Sequence, residues 1–330
     1  MSDHEDRLDS VRERAGTLAG SGRWSELWEE LSALDPGAIL DSAVLAYRFG
    51  EALYHTGRMR ELETFADRYA TRARAELDDG GAMRALNLGG IAAFELGDVE
   101  GAEARWDELL GLADGWEDED MLARAANNLG ALSNLRGKPN QAVAFYRLSL
   151  PLYQRLGQTR GIAQTYHNLG VAMRDLERFE DADSAFSRAV VVAEGIPYPP
   201  VVAMTLVSRA ELEVRRADPP MAAELATRAL ALAREMGDPI SEGQALRVRG
   251  LARCLSGDES SGAADLEAAL ERAEQTGNGL LEAETLRDLG RRPSLEPSAS
   301  ADLLGRAIER FEALGATAEA ERIRADMPEE

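Results

Sequence analysis

Between residues 182 and 190 the apolar side chains are Ala182, Ala185, Phe186, Ala189 and Val190. They recur at i, i+3, i+4, i+7 and i+8, which gathers them on one stripe of an amphipathic helix. Ala222, Leu225, Ala226, Ala229 and Leu230 repeat the stripe, and Ala102, Trp106, Leu109 and Leu110 carry part of it. Strand signals of period two are absent, and the one β-branched run, Val190 to Val192, sits inside the helical pattern. The pattern predicts an all-α chain.

A second helical pattern precedes each stripe, as in MLARAANNLGALSNLRG, and the two alternate along the chain. Steps of forty residues connect Gly50, Gly90, Gly130, Gly170, Ala210, Gly250 and Gly290. A second row, seven residues further on, holds Gly57, Gly97, Gly137, Glu177, Ala217 and Gly257, and a third holds Leu62, Ala102, Ala142, Ala182, Ala222 and Gly262. Three rows in one register define a repeat. A glycine inside a helix costs about 1 kcal/mol relative to alanine, so the first row predicts close approach of a neighbouring helix. The second row predicts the turn that closes each first helix, and Gly157, Gly237 and Gly277 the turn that closes the second.

The ends depart from the period. Residues 1–40 predict an atypical N-terminal helical hairpin, residues 41–290 the regular array, and residues 291–330 a degenerate last repeat with a capping helix near 316–326. All three belong to one continuous stack, whose terminal repeats meet water and so differ from the rest. Trp24 and Trp28 share one helical face and are expected in the end-cap core. Left exposed, they would be a self-association surface.

Composition narrows the functional classes. The 37 basic and 59 acidic residues leave a net charge of −22, which disfavours both nucleic acid and an anionic membrane surface as partners. One cysteine, Cys254, allows no intrachain disulfide and is expected to pack as a small hydrophobe. The start is polar, with no signal-peptide pattern, and no apolar run is long enough to cross a bilayer, so a cytoplasmic location is expected. His4, His55 and His167 share no metal-ligand spacing with one another or with Cys254. The acidic run 115–120 lacks the glycine turn of a calcium loop, and GDESSG is not followed by the Lys-Ser/Thr of a phosphate loop. No catalytic constellation, metal site or cofactor is expected.

The array resembles tetratricopeptide repeats, on Leu129, Gly130, Gly137, Ala142, Tyr146 and Leu150, and again on Leu169, Gly170, Phe179, Ala182, Phe186 and Ala189. The family unit is about 34 residues, and this one is longer by roughly one and a half helical turns at the end of its second helix. The resemblance implies an α-solenoid, a right-handed superhelix of about eight antiparallel helix hairpins with a C-terminal capping helix. It also implies that first helices line a groove for a protein or extended peptide. The groove positions would be Tyr47, Arg48, Glu51 and Tyr54; Arg84, Asn87, Ile91 and Phe94; and Arg124, Asn127, Asn128, Ala131 and Asn134. Later repeats add Gln164, His167, Asn168, Val171 and Arg174, then Met204, Ser208 and Glu211, then Gln244, Arg247 and Leu251.

This set is rich in Arg and amides, so the expected groove is mildly basic inside an acidic shell. Its Asn and Gln side chains suit a peptide backbone and its Arg side chains suit carboxylates. Asn128 and Asn168 could instead bond across adjacent repeats. Family members that grip chaperone carboxy-termini use a Lys/Asn/Arg clamp. Here Met204 and Ser208 stand where its cations are needed, and Glu51 and Leu88 where its Asn is expected, so chaperone tails are not expected partners. A non-catalytic scaffold or adaptor is the first functional expectation, and a peptide- or ligand-responsive regulator is the alternative.

Overall fold

The computed structural model describes residues 2–195 and 199–327, with side chains from residue 8 onward except that of Ala318. The expectation for His4 therefore lies outside the described side chains. Among the described residues there is no strand. The chain divides into two compact units, Met1–Arg136 and Gly137–Glu330.

The first unit holds α1 (Ser2–Gly20), α2 (Trp24–Ser32), α3 (Pro36–Leu40), α4 (Ala43–His55), α5 (Met59–Glu76), α6 (Asp79–Glu95), α7 (Val99–Gly115) and α8 (Glu119–Leu135). α1 packs on α2, and the short α3 follows them. Asp35 starts α3 by accepting the Gly37 and Ala38 amides, and Pro36 lies inside its first turn. Trp24 and Trp28 pack half-buried against the core of Leu27, Leu31, Leu45 and Leu53. The Trp24 ring stacks 4.0 Å from His55, and the Arg58 guanidinium lies 3.6 Å over Trp28. The pair is thus half-buried in the end-cap core.

The second unit holds α9 (Pro139–Leu156), α10 (Thr159–Asp175), α11 (Phe179–Glu194), α12 (Pro199–Arg215), α13 (Pro219–Met236), α14 (Pro239–Leu255), α15 (Glu259–Thr276), α16 (Gly279–Gly290), α17 (Pro297–Ala313) and α18 (Thr317–Asp326). α9 packs on α10. The hairpins α10/α11, α12/α13, α14/α15 and α16/α17 follow, and α18 covers α17. Ala182, Ala185, Phe186 and Ala189 are buried, as are Ala222, Leu225, Ala226, Ala229 and Leu230, so the apolar stripes are the core.

Helix starts are set locally by a row of caps that hydrophobic periodicity does not reveal. Asp78, Asp98, Asp118, Asp218, Asp238, Asp258 and Asn278 each accept a backbone amide two or three residues on. Each cap contributes on the order of 1 kcal/mol relative to alanine. The acidic run 115–120 belongs to this pattern: Asp118 caps α8 and Asp120 pairs with Arg124 at 3.0 Å.

The small residues inside first helices mark close crossings. A Cβ on Gly170 would lie 2.5 Å from the Phe186 ring. On Gly250 it would meet the Gly262 carbonyl at 2.8 Å and the Leu266 amide at 3.0 Å, where backbone cannot give way. The turn row is left-handed throughout, including Glu177 at φ 58° and Ala217 at φ 59°. A Cβ in that region costs about 1 kcal/mol or more. Ala217→Gly is therefore expected to raise the unfolding free energy by about 1 kcal/mol in urea melts, and an unchanged or lower value would show the turn is not strained.

Within each unit the first helices also pack on one another: α4 on α6 and α6 on α8, then α10 on α12, α12 on α14 and α14 on α16. The second helices form no comparable layer. Helices of a curved stack approach most closely on its inner side, so the first-helix layer is the concave face of each unit.

Candidate functional site: the first-helix faces

In the first unit the face is held by amides and rings. Asn128 Nδ2 on α8 donates to Asn87 Oδ1 on α6 at 3.1 Å, so this pair does bond across adjacent repeats. Asn87 is 2% exposed, and Asn127, next to Asn128 in sequence, is also buried. Arg124 is shared between Asp120 and the Tyr47 ring, 5.8 Å away on α4. Arg48 pairs with Glu51, Tyr54 lies edge-on to His55, and Phe94 tilts against Trp106. Burial raises the Tyr69 hydroxyl pKa, and neighbouring Arg84 offsets part of that. Asn134 is half-buried, with an Oδ1 that finds no donor.

The second unit carries a chain of charges across four first helices. Arg174 on α10 donates to Glu211 on α12, and Glu211 also accepts from Arg247 on α14. Arg247 Nη1 donates to Asp288 on α16 at 2.7 Å, and its Nη2 lies 3.3 Å from Glu284. Arg287 closes on Asp288 at 3.0 Å, and Arg174 reaches Asp175 at 3.3 Å. Arg174 to Glu211 and Glu211 to Arg247 are steps of 37 and 36 residues, about one helical turn short of the repeat, whereas Arg247 to Asp288 is a step of 41.

Burial and pairing set the ionisation along this chain. Burial disfavours charge on Glu211, but Arg174 and Arg247 outweigh it and hold the carboxyl below its usual range. Burial also opposes charge on Arg247, yet Glu284, Asp288 and Glu211 keep it firmly protonated. Glu284 differs: burial pushes its carboxyl up and Arg247 opposes that only in part. His167, 5% exposed, is pushed down to about 4, first by burial and then by Arg174. Thr205 Oγ1 donates to the Val201 carbonyl and therefore accepts from His167 Nδ1, 3.2 Å away. Deep burial makes the neutral His167 a tie between α10 and α12.

The expected groove residues are thus divided by depth. Asn87, Asn127, His167, Ser208 and Arg247 are buried, whereas Gln164 is exposed and Asn168, Glu211 and Gln244 are half-buried. Arg174 and Arg247 retain 12% and 5% of side-chain exposure, against 26% for Glu211 and 30% for Glu284. The mildly basic lining expected from composition is corrected here in the second unit. There Arg174 and Arg247 lie deep and are already paired, Asp288 is as deep as Arg247, and Glu211, Glu284 and the amides Gln164, Asn168 and Gln244 are the more exposed groups. Glu284, Arg287 and Asp288 on α16 were missed, although they lie forty residues after Gln244, Arg247 and Val248, in register with the groove positions of the preceding repeat. Carrying the forty-residue step one repeat further would have found them.

Elsewhere, a shallow surface hollow of about 430 Å³ lies on the first unit against Leu40, Asp67, Arg68, Thr71, Arg72 and Ala75. Among the described residues no group of three or more His, Cys, Asp or Glu is disposed to hold a metal, and no helix is long and apolar enough to cross a membrane. Cys254 Sγ lies against Gly262, and burial raises the thiol.

The architecture is a tetratricopeptide-type helical repeat. A family model described as Tetratricopeptide repeat matches residues 161–235. Among solved structures, a Rap protein complexed with Competence and Sporulation Factor matches with a TM-score of 0.67 at 13% identity, covering 98% of this chain and 96% of that one. The Rap conjugation gene regulator of plasmid pLS20, in complex with the Phr* peptide, matches with a TM-score of 0.66 at 14% identity, over 84% of this chain and 77% of that one. The apo quorum sensor NprR from B. thuringiensis matches with a TM-score of 0.60 at 12% identity, over 97% of each chain. No curated protein sequence matches. At these identities the likeness is one of fold.

Proposed function

We propose that the chain is a non-catalytic, cytoplasmic, peptide-responsive regulator built on a long-repeat tetratricopeptide array, whose first-helix faces receive an extended peptide. The observation that carries this reading is the concave face of the second unit, where a charged chain ties four first helices together beneath a surface of amides and carboxylates. An extended peptide needs donors and acceptors for its backbone, which Gln164, Asn168 and Gln244 supply. A ligand touching that face touches every first helix from α10 to α16, so binding and the spacing of the stack are linked. Near-full-length likeness to a Rap protein complexed with a factor, and to NprR, supports the regulator over the generic scaffold.

Hydrogen exchange of the purified chain, with and without the low-mass peptide fraction of host culture, tests this. Slower exchange is expected in α10, α12, α14 and α16, and a Gln164→Ala/Gln244→Ala variant loses that protection. Protection confined to the second helices, or equal in the variant, would sink the assignment.

A further inference from the structure

The concave face of the second unit has its charges layered by depth. Arg174, Arg247 and Asp288 are the deeper members, at 12%, 5% and 5% side-chain exposure, and Glu211 and Glu284 are the more exposed carboxylates, at 26% and 30%. Bonding within the layer is uneven. Glu211 is satisfied by two guanidiniums, Arg174 and Arg247. Asp288 is likewise satisfied by Arg247 and Arg287, at 2.7 and 3.0 Å. Glu284 has only Arg247, at 3.3 Å, and shares that nitrogen with Glu211. Three carboxylates thus compete for two edges of Arg247, while its buried Nε–H finds no acceptor among the described residues.

The cluster therefore offers an accepting carboxylate upward and keeps its unmatched donor closed off below. Burial raises the Glu284 carboxyl; Arg247 and Arg287 oppose the rise in part, and Glu211 and Asp288 add to it. A ligand carboxylate arriving here would meet Glu211 and Glu284 before either guanidinium, whereas a cation would meet a carboxylate with accepting capacity to spare.

Resting on the peptide reading above, we infer that Glu284, with Glu211 beside it, seats a cationic group of the bound peptide. That group is an Arg or Lys side chain or the free amino terminus. Charge selectivity falls to Glu284, and peptide-backbone contact to the half-buried neutral Gln244, one turn ahead of Arg247. An acidic peptide is excluded from the same seat by like charge.

Four fluorescent pentapeptide pools, degenerate except for a central Arg, Lys, Gln or Glu, are titrated against the full chain by polarisation. Each is made with a free and with an acetylated amino terminus. The Arg and Lys pools are expected to bind about tenfold more tightly than the Gln pool, and the Glu pool least. Glu284→Gln, which keeps an acceptor beside Arg247, erases the preference while its thermal midpoint and its affinity for the Gln pool stay unchanged. A preference lost on acetylation assigns the seat to the amino terminus; one that survives assigns it to the side chain. Binding without charge preference, or a preference that persists in Glu284→Gln, overturns the inference and leaves the peptide reading standing. Binding of no pool overturns both.

Discussion

Arg247→Met is expected to lower the unfolding free energy by about 3–5 kcal/mol, the usual cost of removing one partner from a buried ionic group. The side chain is 5% exposed and lies among Glu211, Glu284 and Asp288. Desolvating a guanidinium is costly, so the intact cluster need add little net stability. Its removal is costly because three carboxylates then face one another with less positive charge between them. Arg174 and Arg287 still serve Glu211 and Asp288, which leaves Glu284 as the stranded group. Adding Glu284→Gln to Arg247→Met should therefore recover part of the loss, a coupling that a double-mutant cycle reads directly. Urea unfolding of the four proteins makes the measurement. A single-variant loss under about 1 kcal/mol would mean that the cluster behaves as a screened surface network.

His167 carries the second large effect. In the fold its pKa is pushed down to about 4 from the 6.5 of an ordinary histidine. Below pH 6.5 the unfolded chain binds this proton more readily, so the stability gained from a neutral imidazole is complete above 6.5 and is lost as pH falls toward 4. The shift corresponds to about 3 kcal/mol at roughly 1.4 kcal/mol per unit. His167→Gln has no such proton to take up. Between pH 7 and pH 4 the wild type should thus lose about 3 kcal/mol more than the variant, a difference that sets aside the many carboxylates common to both. Parallel pH profiles would show instead that His167 titrates freely.

Much of the fold was legible because its causes are local. Ala182, Ala185, Phe186 and Ala189 fall on one face by helical geometry alone, and they are buried. Gly250 is small because Gly262 and Leu266 of the paired helix approach its backbone. Glu177 and Ala217 broke the expected pattern of turn glycines without breaking the turn, since the flanking helices hold them left-handed. The aspartate caps are equally local, but their signal lies in polar residues that an apolar pattern passes over. The short α3 was missed for the same reason, as Asp35 and Pro36 specify it with few apolar positions.

The site was legible in place more than in character. Groove positions fell on the first helices, and Arg174, Glu211 and Arg247 were named singly. Their mutual pairing was not foreseen, because it depends on the offset between stacked helices. That offset brings residue i opposite residues about 36 to 41 further on, as in Arg247 with Glu211 and with Asp288. Helix, turn and repeat were determined by the sequence itself, through contacts within a few residues of chain. Only the stacking of α10, α12, α14 and α16 decided which charges lie beneath and which lie above. Depth is a property of neighbours far apart in sequence, and depth turns an arginine-rich face into one that presents carboxylates.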